Sequence, residues 1–120
     1  MNQKGSTAEE WATQFLHHQG LTLIARNYQC RFGEIDAIAR DGTTLIFIEV
    51  RWRNRTSSLL IESIDARKQR CWWLTAQHYL ACHGLPASCR FDVLLLEGSP
   101  CHLRHWLQNV DLGAFSRGSY

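Results

Sequence analysis

Apolar residues recur at helical spacing near the start of the chain. Ala8, Trp11, Ala12, Phe15 and Leu16 form one stripe and predict an amphipathic helix over 6–19. Ser6 with Glu9 makes a capping box at its start, and Gly20 is placed for a left-handed residue just past its end. The pattern then shortens to strand period. Residues 21–26 predict a first strand, followed by a polar turn through Asn27, and the runs on either side of Asp41-Gly42 predict a hairpin. A polar loop follows over 54–58. Ser63 is the expected cap of a second helix over 64–81, with Ala66, Leu74, Ala76, Tyr79 and Leu80 as packing residues. Trp72 and Trp73 are adjacent, so one is expected in the core and the other partly exposed. Gly84-Leu85-Pro86 ends that helix. The Val93-Leu94-Leu95-Leu96 run places a strand over 90–96 in a sheet interior, and a last strand over 101–107 precedes a weakly patterned tail at 108–120. The order α-β-β-β-α-β-β implies a single α/β domain over 1–120, a mixed sheet flanked by helices.

One stretch breaks its own local rule. Glu34, Asp36 and Glu49 lie inside the hairpin strands, where Asp and Glu are disfavoured. Such a conflict within a well-patterned element marks a candidate functional site. A two-residue type I′ turn at Asp41-Gly42 pairs Arg40 with Thr43 and sets Asp36 diagonal to Glu49. A four-residue loop sets the two acids directly opposite, and a three-residue loop puts them on different faces. With an even turn, Glu34, Asp36, Leu45, Phe47, Glu49 and Arg51 share one face, while Ile35, Ala37, Ile46, Ile48 and Val50 form the core face. The two carboxylates are then roughly 4.5–8 Å apart, a workable span for one cation between them.

Composition narrows the classes. The chain has 120 residues, 45% hydrophobic and 20% charged, which fits one ordinary globular domain. Its apolar runs are too short to cross a bilayer, and its start lacks a signal-peptide core, so a cytoplasmic protein with no membrane partner is expected. Five cysteines at scattered spacings read as reduced thiols acting mostly as small buried hydrophobes. The competing reading is a zinc site from Cys82, His83, Cys89, Cys101, His102 and His105, although no C-x-x-C pair is present. The net charge is only +2, yet six of the 13 basic residues fall between positions 51 and 70: Arg51, Arg53, Arg55, Arg67, Lys68 and Arg70. That patch suits phosphate, or is simply a solvated basic face.

Carboxylates gathered on one face need a positive charge among them. Magnesium takes one or two protein carboxylates, keeps several waters and completes its shell from substrate phosphate. Asp36 and Glu49 are therefore candidate ligands, with Arg51 beside them to clamp a phosphate. Cross-strand ion pairing among Glu34, Asp36, Glu49 and Arg51 on a solvated face is the bland alternative.

Gly33-Glu34-Ile35-Asp36, followed by Phe47-Ile48-Glu49-Val50-Arg51, resembles the metal-binding hairpin of the PD-(D/E)XK nuclease superfamily. That superfamily includes restriction endonucleases and archaeal Holliday-junction resolvases. The chain more closely resembles the YraN family of uncharacterised, endonuclease-like proteins. Arg26-Asn27-Tyr28, Ala39-Arg40-Asp41-Gly42, Lys68-Gln69, Tyr79-Leu80, Arg90-Phe91-Asp92-Val93 and Ala114-Phe115 carry the likeness across nearly the whole chain. The resemblance implies a restriction-endonuclease-like fold, a Mg2+ or Mn2+ cofactor held by Asp36 and Glu49, and by analogy a homodimer. Arg51 occupies the position of the superfamily's lysine. Lys4-Gly5 with Glu9 resembles the first-helix motif of the resolvase branch, which makes Glu9 a further candidate catalytic residue. Lys68 and Gln69 match a polar pair on the second helix, and Asp92 reads as structural.

Two departures are visible. Arg cannot lose its proton near neutral pH, so position 51 cannot act as a general base. Ile35 also stands where the superfamily name implies Pro. The leading expectation is a metal-dependent nuclease acting on DNA, including branched or otherwise structured DNA. Its rival is a non-cleaving nucleic-acid-binding module that keeps the nuclease fold and uses Arg51, Arg53, Arg55, Lys68 and Gln69. A third reading is a protein-interaction domain using an exposed Trp and the basic face.

Overall fold

The computed structural model describes residues 3–54 and 65–112. The elements are α1 (Gln3–His18), β1 (Thr22–Cys30), β2 (Gly33–Asp41), β3 (Thr44–Arg53), α2 (Ala66–His83), β4 (Ser88–Glu97) and β5 (His102–Leu107). The strands form one sheet in the order β1-β2-β3-β4-β5, with β3 and β4 parallel and every other pair antiparallel. This is the expected α/β order. Arg55, Ser63 and Ala114-Phe115 lie outside the described residues, as does the side chain of Lys4.

The sheet is covered on both faces. On one side α1 packs Ala8, Ala12 and Leu16 against Ala37, Ala39, Ile46, Ile48, Leu94 and Leu96. On the other, α2 packs Trp72, Ala76, Tyr79 and Leu80 against Ile35, Ile38, Leu45, Phe47, Phe91, Val93 and Leu95. The face carrying Leu45 and Phe47 is therefore core as well, not the solvated side of a one-sided sheet. Residues 91–96 of β4 are all buried, as expected of a strand between two neighbours and two helices.

Helix boundaries shift for identifiable reasons. α1 starts at Gln3, so Ser6 lies inside it and Glu9 is not the acid of a capping box. At the other end Gly20 has φ +84, and the Leu21 N–H reaches back to the Leu16 carbonyl, the wider bond of a Schellman ending. α2 is capped by Asp65, whose carboxylate accepts from the Lys68 N–H at 2.8 Å. Trp72 is core and Trp73 half-buried, but Leu74 is only half-buried and Ala66 exposed. Thr75 takes a core position instead, its hydroxyl donating to the Cys71 carbonyl at 2.7 Å.

β1 runs through the expected turn at Asn27, which stays within the strand at φ +52. The hairpin turn is Gly42-Thr43, flanked by the Asp41–Thr44 pair. Gly42 has φ +60 and Thr43 does not, which is the Gly-first pattern of a type II′ turn, not type I′. The turn is even, so parity survives, but the register moves by one step.

The cysteines are half-buried or exposed and unpaired, so they are not core hydrophobes. Cys82, His83, Cys89, Cys101, His102 and His105 do not converge into a metal-ligand group among the described residues.

Asp92 is fully buried and fully engaged. Arg90 donates to both of its oxygens at 3.1–3.3 Å, with Trp106 Nε1 and the Asn109 N–H each at 2.9 Å. These bonds tie β4, β5 and the segment after it together. The Val110 N–H on the Phe91 carbonyl and buried Leu112 extend that anchoring into the expected tail. Asp92→Asn keeps the shape but removes the charge and turns a donor toward donors. It is expected to destabilise the fold by about 1.5–3 kcal/mol in urea unfolding. A change below about 0.5 kcal/mol would show that these bonds add no net stability.

Candidate metal centre

The site forms where β2 and β3 part. Along β2, Ile35 packs on the α2 side but Ala37 packs on the α1 side, so the two-residue alternation slips between them. The ladder to β3 is registered only as far as Ala37–Ile48. Beyond it, the Val50 N–H donates to Asp36 Oδ2 at 2.8 Å, and a side chain replaces the strand partner. The slip turns Glu34 and Asp36 toward α1 and leaves Asp36 beside Glu49. The expected shared face of Glu34, Asp36, Leu45, Phe47, Glu49 and Arg51 is not kept. The acids converge because the strand is irregular, not because it is regular.

Two acidic groupings meet at Asp36. On the α1 side, carboxylate oxygens of Glu9, Glu34 and Asp36 lie within 4.8 Å of one another. On the β3 side, Asp36 and Glu49 lie close enough for their carboxyls to share a hydrogen bond. Sequence reasoning named Asp36, Glu49 and Glu9 as site residues but left Glu34 out of that set. The misplaced-acid signal that found Asp36 applied equally to Glu34. What it lacked was the position of α1.

Burial sets the electrostatics. It pushes the Glu49 carboxyl up to about 9, with the charge and hydrogen bond of Asp36 adding to the effect and Arg51 and Lys68 opposing it. Burial also raises Asp36, against the Val50 N–H and the Glu49 hydrogen bond. The pair thus titrates as a unit that holds a shared proton at neutral pH. Glu9 is raised by burial and by Asp36, while an Asn27 hydrogen bond pulls it back.

Basic groups flank the acids. Arg51 Nε is 3.6 Å from Glu49 Oε2, too far for a hydrogen bond, and this buried nitrogen has no hydrogen-bond partner among the described residues. Lys68, on the first turn of α2, is exposed but close enough to act on both Asp36 and Glu49. Gln69 beside it is half-buried, and Arg53 is exposed at the end of β3.

The donor set fits a hard divalent cation. It is all carboxylate oxygen, which suits Mg2+ or Mn2+ and not a zinc site of Cys and His. Acids held above their ordinary range by burial and by one another are also stabilised by a cation placed among them. Asp36, Glu49, Glu9 and Glu34 are the residues in position to hold one.

Fold and site together define an α/β protein with a cluster of carboxylates at a strand fork, reaching from buried Glu49 to exposed Glu34 and edged by Arg and Lys. The sequence pattern of the uncharacterised protein family UPF0102 matches residues 8–96, a span that contains every one of these side chains. A UPF0102 protein of Methylobacillus flagellatus is 46% identical over 111 residues, covering 92% of this chain and 97% of that one. One from Nitrosomonas europaea is 48% identical over 109 residues, covering 89% and 92%. One from Pseudomonas fluorescens is 41% identical over 111 residues, covering 90% and 92%. The chain belongs to the UPF0102 family, the YraN family of the sequence reading. No helix among the described residues is long and apolar enough to cross a membrane.

Proposed function

We propose that this protein is a metal-dependent nuclease that hydrolyses phosphodiester bonds in DNA, with branched or otherwise structured DNA as its substrate. The observation that carries the reading is Asp36, a half-buried carboxylate shared between Glu9 and Glu34 on one side and Glu49 on the other. A divalent cation held there would supply Lewis-acid activation of the phosphodiester and of the attacking water. Asp36 and Glu49 would hold it as ligands, in place of the proton they share. Arg51, whose guanidinium lies beside Glu49, would clamp the phosphate. Lys68 and Arg53 continue the positive surface outward from the site, where the flanking phosphates of a nucleic acid would run. The likeness of the Gly33–Asp36 and Phe47–Arg51 stretches to the PD-(D/E)XK hairpin supports the same reading.

The test is a cleavage panel of linear, flapped, single-stranded and four-way-junction DNA with Mg2+ or Mn2+, using Asp36→Ala as control. Absence of both cleavage and cation binding removes the reading. A second reading, a DNA-binding module that does not cut, is favoured by one residue: Arg51, where a proton-accepting lysine would stand. It predicts salt-sensitive binding that survives Asp36→Ala. Under either reading, Arg53→Ala combined with Lys68→Ala should lower the slope of log affinity against log salt by about 2 on duplex DNA, close to 0.9 for each lost phosphate contact. An unchanged slope would remove these two residues from the interface.

A further inference from the structure

Asn27 stands in β1 between Arg26, paired with Ala37, and Tyr28, paired with Ile35. It is therefore across the strand from Asp36. Its φ of +52 is shared by only one other non-glycine residue among those described, Asn109. A side chain in this region meets backbone crowding, and Asn tolerates it better than most residues. A strand interior has no need of such a conformation, so something must hold it there.

The amide explains it. With its nitrogen turned to donate, Asn27 lies 3.2 Å from Glu9 Oε1 and 2.9 Å from Glu34 Oε2. One NH2 group has two N–H donors, one for each carboxylate. Gln29, two residues on, approaches the other oxygen of Glu34 at 3.5 Å. Glu34 is exposed, and an exposed glutamate ordinarily samples several rotamers. Here both of its oxygens face β1 amides. Glu9 comes from α1 and Glu34 from β2, so the Asn27 amide bridges the two elements at this point.

The choice of an amide matters. A Lys or Arg in this place would satisfy the same carboxylates and supply the very charge a cation would bring. A neutral donor orients the acids without placing a positive charge of its own among them. We infer that Asn27 is a positioning residue that pre-organises Glu9 and Glu34 around Asp36 for a divalent cation. This rests on the metal-dependent reading of the same site. Groups that orient metal ligands from behind typically carry 10–100-fold in metal affinity.

Asn27→Gly separates the amide from the backbone, because glycine accepts φ +52 without strain. Mn2+ titration of the full chain, followed by electron paramagnetic resonance, is expected to show roughly 10–100-fold weaker binding in Asn27→Gly than in wild type. Far-UV circular dichroism and Tm should stay close to wild type in that variant. Asn27→Ala should weaken Mn2+ to the same degree and also lower Tm, since it adds the strained φ. Where cleavage is measurable, raising Mn2+ should restore kcat in Asn27→Gly with the KM for DNA unchanged, a rescue that a merely structural residue would not give. Mn2+ binding by a folded Asn27→Gly within about two-fold of wild type overturns the inference and leaves the nuclease reading standing. Wild-type protein that binds no Mn2+ removes both.

Discussion

Asp36→Asn is expected to cost at least about a hundred-fold in metal-dependent cleavage, since even residues that only orient metal ligands carry 10–100-fold in metal affinity or activity. It should do so without unfolding the protein. Asp36 has two separable roles. Its Oδ2 accepts the Val50 N–H at 2.8 Å, closing the gap where β2 leaves β3, and an Asn oxygen can accept the same bond. Its negative charge is the one shared by Glu9, Glu34 and Glu49, and Asn removes it. Fewer repelling charges in a partly buried site should leave the Tm of the metal-free variant equal to or above wild type. Asp36→Ala does both kinds of damage, because it also orphans the Val50 N–H at a cost of about 1–3 kcal/mol. Cleavage and Tm measured together on the two variants separate chemistry from fold. Asp36→Asn cutting at close to the wild-type rate would sink the site assignment.

Metal-free protein is expected to lose several kcal/mol of stability as pH rises, and Mg2+ is expected to return it. The sign follows from Glu49. Its carboxyl has the ordinary value of 4.5 in an unfolded chain and about 9 in the fold. Between those values the folded state keeps a proton that the unfolded state has released, so stability falls with rising pH. The contribution is fully present below about 4.5 and gone once the pH passes about 9. A cation takes the place of the proton, so its apparent affinity should rise across the same window. Glu49→Gln should flatten the pH dependence and remove the response to Mg2+. Calorimetric Tm between about pH 5 and pH 9, with and without Mg2+, reads all of this. A flat Tm in the metal-free wild type would overturn the shared proton.

How legible the fold was depends on the range of the forces involved. The α-β-β-β-α-β-β order, the buried Val93–Leu96 run and the even hairpin turn follow from local hydrophobic period and turn chemistry, and the structure has them. The polar turn expected at Asn27 failed because a left-handed Asn is a turn signal in sequence, yet here it sits inside a paired strand. The Ser6–Glu9 capping box failed for a similar reason. The pattern is local, but α1 begins earlier and Glu9 is engaged elsewhere.

The chain by itself determined that acids sit inside strands 2 and 3, and which acids they are, because propensity and period are properties of neighbouring residues. Only the tertiary structure decided how they meet. The alternation slips at Asp36, so that Glu34 turns to the α1 side and joins Glu9, while Glu49 stays within hydrogen-bonding reach of Asp36. That slip is fixed by contacts to α1 on one face and α2 on the other, between residues far apart in sequence. A regular two-residue period contains no record of where it will be broken.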